Sequence, residues 1–382
     1  MEGPKIEPGL EGVYFTESSI CKVDGTAGRL YYRGYPIEQL AEQSSFEEVC
    51  YLLLYGGLPT KQQFKDFSKS LASERQLPRE ILSTIRNEAG RESTMHTLRT
   101  AVSSLAAYDS EADDITPEAE IRKSIRLIAK MPSIAAAIWR LRNGQRYVRP
   151  RRSLTHAENL LYMLVGEKAD SEKSKLLDTM LILHAEHSSN ASTFSGITTA
   201  STLSDMYSAI TSAIGTLKGP LHGGADEMSL RMMHEIGEPG NTEAYITDAL
   251  AGKKKIMGFG HRVYKTYDPR ARIIRRHLET ILASGNEELQ KLAAIAFRAE
   301  KMMIEKLGES HGIWPNVDFF SGPVYLYIGI PPELFTTLFA VSRVPGWCAH
   351  IYEYGQHNRL IRPLEHYNGP IDLEYVPIGR RK

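Results

Sequence analysis

Ser45-Phe46-Glu47-Glu48-Val49-Cys50-Tyr51-Leu52-Leu53-Leu54-Tyr55 runs through Gly56-Gly57-Leu58-Pro59 into Thr60-Lys61-Gln62-Gln63. A hydroxyl residue followed three positions later by Glu, then by an apolar run, is the signature of a capped helix start, and Thr60 with Gln63 repeats that logic after Pro59. Working outward, amphipathic periodicity predicts helices over about Pro117 to Asn143, His156 to Val165, Glu172 to His184 and Thr202 to Lys218. A second helical block is expected at about Asp226 to Ile236, Thr242 to Leu250, Pro269 to Ala283 and Glu287 to Leu307, with an apolar helix near Glu333 to Tyr354. Strands are scarce. Val13-Tyr14-Phe15 and Arg29-Leu30-Tyr31-Tyr32, flanking the turn-rich Asp24-Gly25-Thr26-Ala27-Gly28, read as a small N-terminal β element. The chain therefore reads as an all-α protein whose short turns carry the chemistry.

A length of 382 residues exceeds the usual size of one hydrophobic core and predicts two domains. Lys plus Arg equals Asp plus Glu at 46 each, which removes the bulk electrostatic argument for nucleic acid or a membrane surface as partner. Cys21, Cys50 and Cys348 are odd in number and far apart, against a disulfide framework, so a reducing cytoplasm is expected. The start, Met1-Glu2-Gly3-Pro4-Lys5-Ile6-Glu7-Pro8, lacks the pattern of a secretion or transit leader, and no apolar run reaches membrane-span length.

Three glycine-bounded segments gather residue types suited to acid/base work: Gly219-Pro220-Leu221-His222-Gly223-Gly224-Ala225, Gly258-Phe259-Gly260-His261-Arg262 and Asn316-Val317-Asp318-Phe319-Phe320-Ser321-Gly322. His222 precedes an expected helix start, which disfavours imidazolium; it is either a neutral donor to a developing oxyanion or a structural cap. Asp318, set among aromatic residues, is a candidate base strengthened by desolvation, or else a turn residue. Arg270, Arg343 and Arg362 carry the planar fork that grips carboxylates, pointing to a small polycarboxylate substrate. Asp268-Pro269 would start a helix with Arg270 in its first turn, an unfavourable place for a cation unless an anion is near. Lys253-Lys254-Lys255 before the Gly258 loop suits a phosphate-bearing ligand, or is a solvated helix end.

His184-Ala185-Glu186-His187 puts two histidines three apart on one helix face. A metal role is not supported, because His-Glu-x-x-His and a cysteine ligand cluster are both absent. No metal site is expected.

Taken together, five ordered segments resemble the citrate synthase family in its compact form: Leu183 to His187 with Asn190 to Phe194, Lys218 to Ala225, Met257 to Arg270, Pro315 to Gly322, and Ser342-Arg343 with Arg359 to Pro363. The resemblance covers nearly the whole chain. It implies condensation of acetyl-CoA with oxaloacetate to citrate and free CoA, with no permanently bound cofactor. It also implies Asp318 as the base, His222 as the enolate donor, and His261 as the group that polarises the oxaloacetate carbonyl. His187, Arg270, Arg343 and Arg362 would hold oxaloacetate, with Arg362 reaching across a homodimer interface. Ile256, Met257, Gly258, Phe259 and Gly260 would pack around the CoA adenine, with Arg262 and Lys265 toward its phosphates. The implied architecture is a large helical domain of residues 1 to 217 and 325 to 382, and a small one of 218 to 324. The near relative 2-methylcitrate synthase, which prefers propionyl-CoA, shares the same constellation. One departure stands out: the family often has Asn where this chain has Asp226, a carboxylate that could alter hydrogen bonding around His222.

Overall fold

Capping chemistry sets where the helices begin. A computed structural model describes residues 5–90, 93–283 and 285–381; the first four residues of the leader reading lie outside these. The first half of the chain carries α1 (Ile37–Gln43), α2 (Phe46–Tyr55), α3 (Lys61–Glu74), α4 (Arg79–Glu88), α5 (Thr94–Leu105), α6 (Pro117–Arg142), α7 (His156–Val165) and α8 (Ser171–His184). The second carries α9 (Ala191–Ala200), α10 (Met206–Leu217), α11 (Ala225–Ile236), α12 (Thr242–Ala251), α13 (Pro269–Leu282), α14 (Glu287–Met303), α15 (Glu309–His311), α16 (Val317–Ile328) and α17 (Phe335–Gly355). Thr60 and Gln63 close a reciprocal capping box on α3, whereas at α2 only the Ser45 side chain caps, because Glu48 bonds Ser44 instead.

The all-α expectation holds, with corrections in detail. The N-terminal sheet is an antiparallel ladder of β1 (Cys21–Asp24), β2 (Arg29–Tyr32) and β3 (Tyr35–Pro36). Val13-Tyr14-Phe15 is not a strand: Tyr14 is 98% exposed, and Phe15 packs edge-on against Phe194. The expected helix over Thr202 to Lys218 begins only at Met206, and the Asn190-Ala191-Ser192-Thr193 run opens α9, with Asn190 as its N-cap. Asp318 lies not on a turn but in the first turn of α16, capped by the Asn316 side chain.

α17 is the axis of the fold, packing against α2, α6, α8, α9 and α10, and buried almost without interruption from Phe335 to Ile351. Trp347 and Phe335 are fully buried there. Side chains of this kind contribute about 1.5–3 kcal/mol each when removed from water. α16 packs on α8, α11, α13 and α14, so the segment bearing Asp318 is held by four helices. Both helices read as uniformly apolar because both are enclosed on all sides. Among the described residues no single helix is long and apolar enough to cross a membrane.

Candidate active site

Backbone hydrogen bonds tie the Gly258 loop to the segment that starts α16. Asn316 N–H donates to the Gly258 carbonyl, Gly260 N–H donates to the Trp314 carbonyl, and the Asn316 amide donates to the Gly260 carbonyl, each at 2.9 Å. Gly258 has φ +78°, and a Cβ there would lie 2.7 Å from Phe319 Cα, so only glycine permits this approach. Above it, the Phe259 and Phe319 rings meet at 4.4 Å. The β1–β2 turn supports the other side of the loop: Lys265 N–H donates to the Gly25 carbonyl at 2.9 Å.

Main-chain contacts fix the tautomers of both candidate catalytic histidines. The backbone N–H groups of Val263 and Tyr264 donate to His261 Nδ1 at 3.0 and 3.1 Å, so the ring proton sits on Nε2. Ser192 N–H donates to His222 Nε2 at 3.3 Å, which leaves the His222 proton on Nδ1. Ser192 Oγ, 2.8 Å from the same nitrogen, also accepts from the Trp347 indole at 3.1 Å. Burial, reinforced by Arg343, pushes His222 down to about 4; burial, reinforced by Arg270, does the same for His261. Both rings are therefore neutral donors near pH 7.

His187 lies beside them, its ring centroid 5.1 Å from that of His261 and its Nε2 3.2 Å from the Tyr264 hydroxyl. Burial and then Arg270 hold it well below the usual histidine range. Arg270 is 3% exposed and takes Asp268 through two parallel bonds, Nε to Oδ1 at 3.1 Å and Nη2 to Oδ2 at 2.7 Å. The anion that tolerates a cation in this first helical turn is thus Asp268, which also caps α13. Arg343 is 1% exposed, donates Nε–H to the His184 carbonyl at 2.6 Å, and lies over the Phe339 ring. Among the described residues no carboxylate pairs with it directly. Glu186, whose charge acts on it, is engaged by His350 at 2.8 Å. Arg362 is exposed on the C-terminal tail, and within this chain nothing brings it to the cluster.

Asp318 is half-buried, with Oδ1 fully enclosed and unpartnered. Burial is the main cause that raises it to about 6; Arg270 and Arg343 pull the other way. Asp226 sits beside Asp318 rather than His222, and one ligand atom each from His184, Asp226 and Asp318 fall within 4.8 Å of one another. His184 and His187 do not converge on a metal: His184 Nδ1–H donates to the Met180 carbonyl at 2.8 Å, while His187 faces Tyr264.

The candidate CoA residues vary in accessibility: Ile256 and Gly258 are buried, Met257, Phe259 and Gly260 are half-buried, and Arg262, Lys265 and Lys253 to Lys255 are exposed. An open cavity of about 850 Å³ lies elsewhere, between α13 and α14, lined by Arg272, Arg275, Phe297 and Glu300. Its charges are largely spent on one another, as in the Arg275–Glu300 pair at 2.7 Å. Sequence reasoning missed Ser192, Tyr264 and Trp347 as supports of the histidines. Ser192 lay within the quoted Asn-Ala-Ser-Thr run, but nothing local aimed it at His222.

A buried guanidinium without a paired carboxylate calls for an anion from outside, and neutral imidazole donors beside a strengthened carboxylate suit proton abstraction from carbon. The class so defined is an all-helical acid/base enzyme for a small polycarboxylate. Comparison with known proteins agrees. The family described as "Citrate synthase, C-terminal domain" matches residues 9–364. Citrate synthase from Deinococcus radiodurans is 48% identical over 377 residues, covering 99% of each chain. The citrate synthase of Thermoplasma acidophilum, solved as a ternary complex with carboxymethyl coenzyme A and oxaloacetate, superposes with a TM-score of 0.94 at 39% identity, covering 99% of this chain and 100% of that one. 2-Methylcitrate synthase 1 of Corynebacterium glutamicum is 41% identical over 388 residues, covering 100% of each. The chain belongs to the citrate synthase family.

Proposed function

We propose that the chain condenses acetyl-CoA with oxaloacetate and water to give citrate and CoA. The observation that carries this reading is Asp318: a half-buried carboxylate with an enclosed, unpartnered oxygen, raised to about 6 and acted on by two buried arginines. Asp318 takes a proton from the thioester methyl while His222 Nδ1–H stabilises the enolate oxygen. The enolate carbon then bonds to the oxaloacetate carbonyl carbon, and His261 Nε2–H supplies the proton to the alkoxide. Water cleaves the citryl thioester, releasing CoA. A carboxylate alone is too weak for a thioester methyl, each unit of pKa mismatch being worth about 1.4 kcal/mol. A preorganised donor such as His222 contributes roughly 3–4 kcal/mol in a dry site.

In this reading His187, Arg270 and Arg343 bind oxaloacetate, while Ile256 to Gly260 surround the adenine and Arg262 and Lys265 meet the phosphates. Coenzyme A thioester is a co-substrate, and no permanently bound cofactor takes part. The division into residues 1 to 217 with 325 to 382, and 218 to 324, puts a hinge inside α16 next to Pro323, whose missing N–H weakens the helix there. Arg362 comes from the partner of a homodimer. Supporting that assembly, the tail that bears Arg362 exposes Leu364 at 86% and Tyr375 at 77%, apolar surface suited to a second copy. Three unpaired cysteines accord with a reducing cytoplasm.

The deciding experiment follows CoA thiol release with and without oxaloacetate, in the presence of a chelator, from acetyl-CoA and propionyl-CoA. Oxaloacetate-dependent release fastest with acetyl-CoA is expected. Faster release with propionyl-CoA reassigns the chain as a 2-methylcitrate synthase, since one methylene changes apolar binding by only about 1–3 kcal/mol.

A further inference from the structure

Donors and acceptors do not balance around Asp226. The residue is 1% exposed in the first turn of α11, and neither carboxylate oxygen has a hydrogen-bond partner. His184 spends its only ring proton on the Met180 carbonyl, so its buried Nε2 is a lone pair, also without a partner. Asp318 Oδ1 is enclosed and unpartnered as well. These groups approach within 4.8 Å of one another. Several acceptors are enclosed together with no donor among the described residues, and buried polar groups are as a rule satisfied, so a proton, a water or a cation belongs among them.

The surroundings favour the proton. Arg270 and Arg343 both act on His184 and on Asp318, so a dication would meet two fixed positive charges. The arginines also decide which carboxyl is protonated. Asp318 has both to stabilise its anion, whereas the charges acting on Asp226 are Asp318 and Glu227, both acidic. Two like charges this close do not both ionise readily. Of the elements packed on α11, α16 presents Asp318 and Tyr325, and α17 presents Arg343, which acts on Asp318. On α14, the buried Glu300 is engaged by Tyr267 and Arg275. His184 from α8 and Arg270 from α13 complete the set.

We propose that Asp226 is a neutral carboxylic acid at the pH of catalysis and that its O–H is the donor missing from the His184–Asp226–Asp318 cluster. It is a positioning residue: it supports the ionised Asp318 and keeps a second anion away from the place where enolate charge develops. The proposal rests on Asp318 as the base only for its kinetic consequences. The protonation itself is independent of that role.

Infrared spectroscopy of the whole protein near pH 7 reads it directly. Asp178, raised to about 7 by burial, contributes its own signal, so the reading is a difference: the carbonyl stretch of a buried protonated carboxyl, shifted in heavy water, is expected in the wild type minus D226N spectrum and is kept in D318N. In kinetics, D226N retains an amide donor that cannot ionise and keeps a kcat at least tenfold above that of D226L. D226L, with no donor, moves the acid limb attributed to Asp318 to higher pH. A wild type minus D226N difference without that band overturns the proposal, as does a stoichiometric metal ion found by elemental analysis and lost in D226N. Should D318N remain fully active while the band is present, the base assignment fails and the protonated Asp226 stands.

Discussion

Asp268 grips Arg270, two residues along the same helix start, by bonds of 3.1 and 2.7 Å, and its Oδ2 also accepts the Val317 N–H at 3.3 Å. One carboxylate thus aims the arginine proposed to bind oxaloacetate and joins the start of α13 to that of α16, which bears Asp318.

Replacing Arg270 or Arg343 by Lys keeps the charge and loses the fork. The expected result is a rise in the KM for oxaloacetate of roughly 10- to 100-fold, corresponding to about 1.5–3 kcal/mol for a charge-assisted bond, with a smaller change in the KM for acetyl-CoA. An unchanged oxaloacetate KM in steady-state assays would sink the assignment. D268A leaves Arg270 buried and unpaired, and should cost about 3–5 kcal/mol in chemical denaturation.

Asp318 links activity to stability with a definite sign. Its native pKa, raised from 3.8 to about 6 by burial, means that the folded state binds more protons than the unfolded one across that window. Stability contributed by this group therefore falls as pH rises from about 4 to 6. Asp318→Asn should abolish turnover yet stabilise the protein at pH 7 by about 1–2 kcal/mol, measured as a higher Tm. In the wild type, kcat should decline below about pH 6 as the base is protonated.

Neutral histidines act in the opposite direction. His156 and His184, fully enclosed and lowered to about 3, take up protons only on unfolding, so stability is lost as pH falls from 6.5 toward 3. H156Q should therefore move the acid-unfolding midpoint to lower pH if the variant packs as well as the parent.

His222 depends on Ser192 for its tautomer. H222Q should lower kcat by a factor on the order of 10²–10³, the usual effect of removing an oxyanion donor. Ser192→Ala keeps the backbone N–H at 3.3 Å and removes the hydroxyl at 2.8 Å, so a loss of roughly tenfold is expected. Equal kcat for S192A and wild type would show that the main-chain contact suffices.

Mixing subunits tests Arg362. R362A and D318N should each be inactive or nearly so, and denatured mixtures refolded together should regain activity. In the proposed homodimer, a hybrid would have one site with an intact Asp318 and an Arg362 supplied by its neighbour. No recovery would place Arg362 within its own subunit or outside the site.

Helix starts were legible where their chemistry is local. Thr60 with Gln63 and Asp268 with Pro269 state their caps within four residues, and α3 and α13 begin where those residues predict. α16 was not legible, because its run from Val317 to Ile328 is buried on every side and so shows no amphipathic period. The false strand at Val13 to Phe15 shows the same limit: β-formers need a pairing partner, and Cys21 to Asp24 took Arg29 to Tyr32.

The amino-acid sequence by itself determined the helical class and the local caps of α3 and α13, and it offered His222, His261, Asp318, Arg270 and Arg343 as candidates, since residue type and short-range spacing are all that such readings need. Tertiary structure alone decided what those side chains do to one another. The tautomer of His222 comes from Ser192, 30 residues away, and the His261 loop rests on a turn at Gly25 far along the chain. Asp226 meets Asp318 only because α11 packs on α16. Hydrogen-bond direction and desolvation are properties of an enclosed space, and that space exists only once distant segments have packed around it.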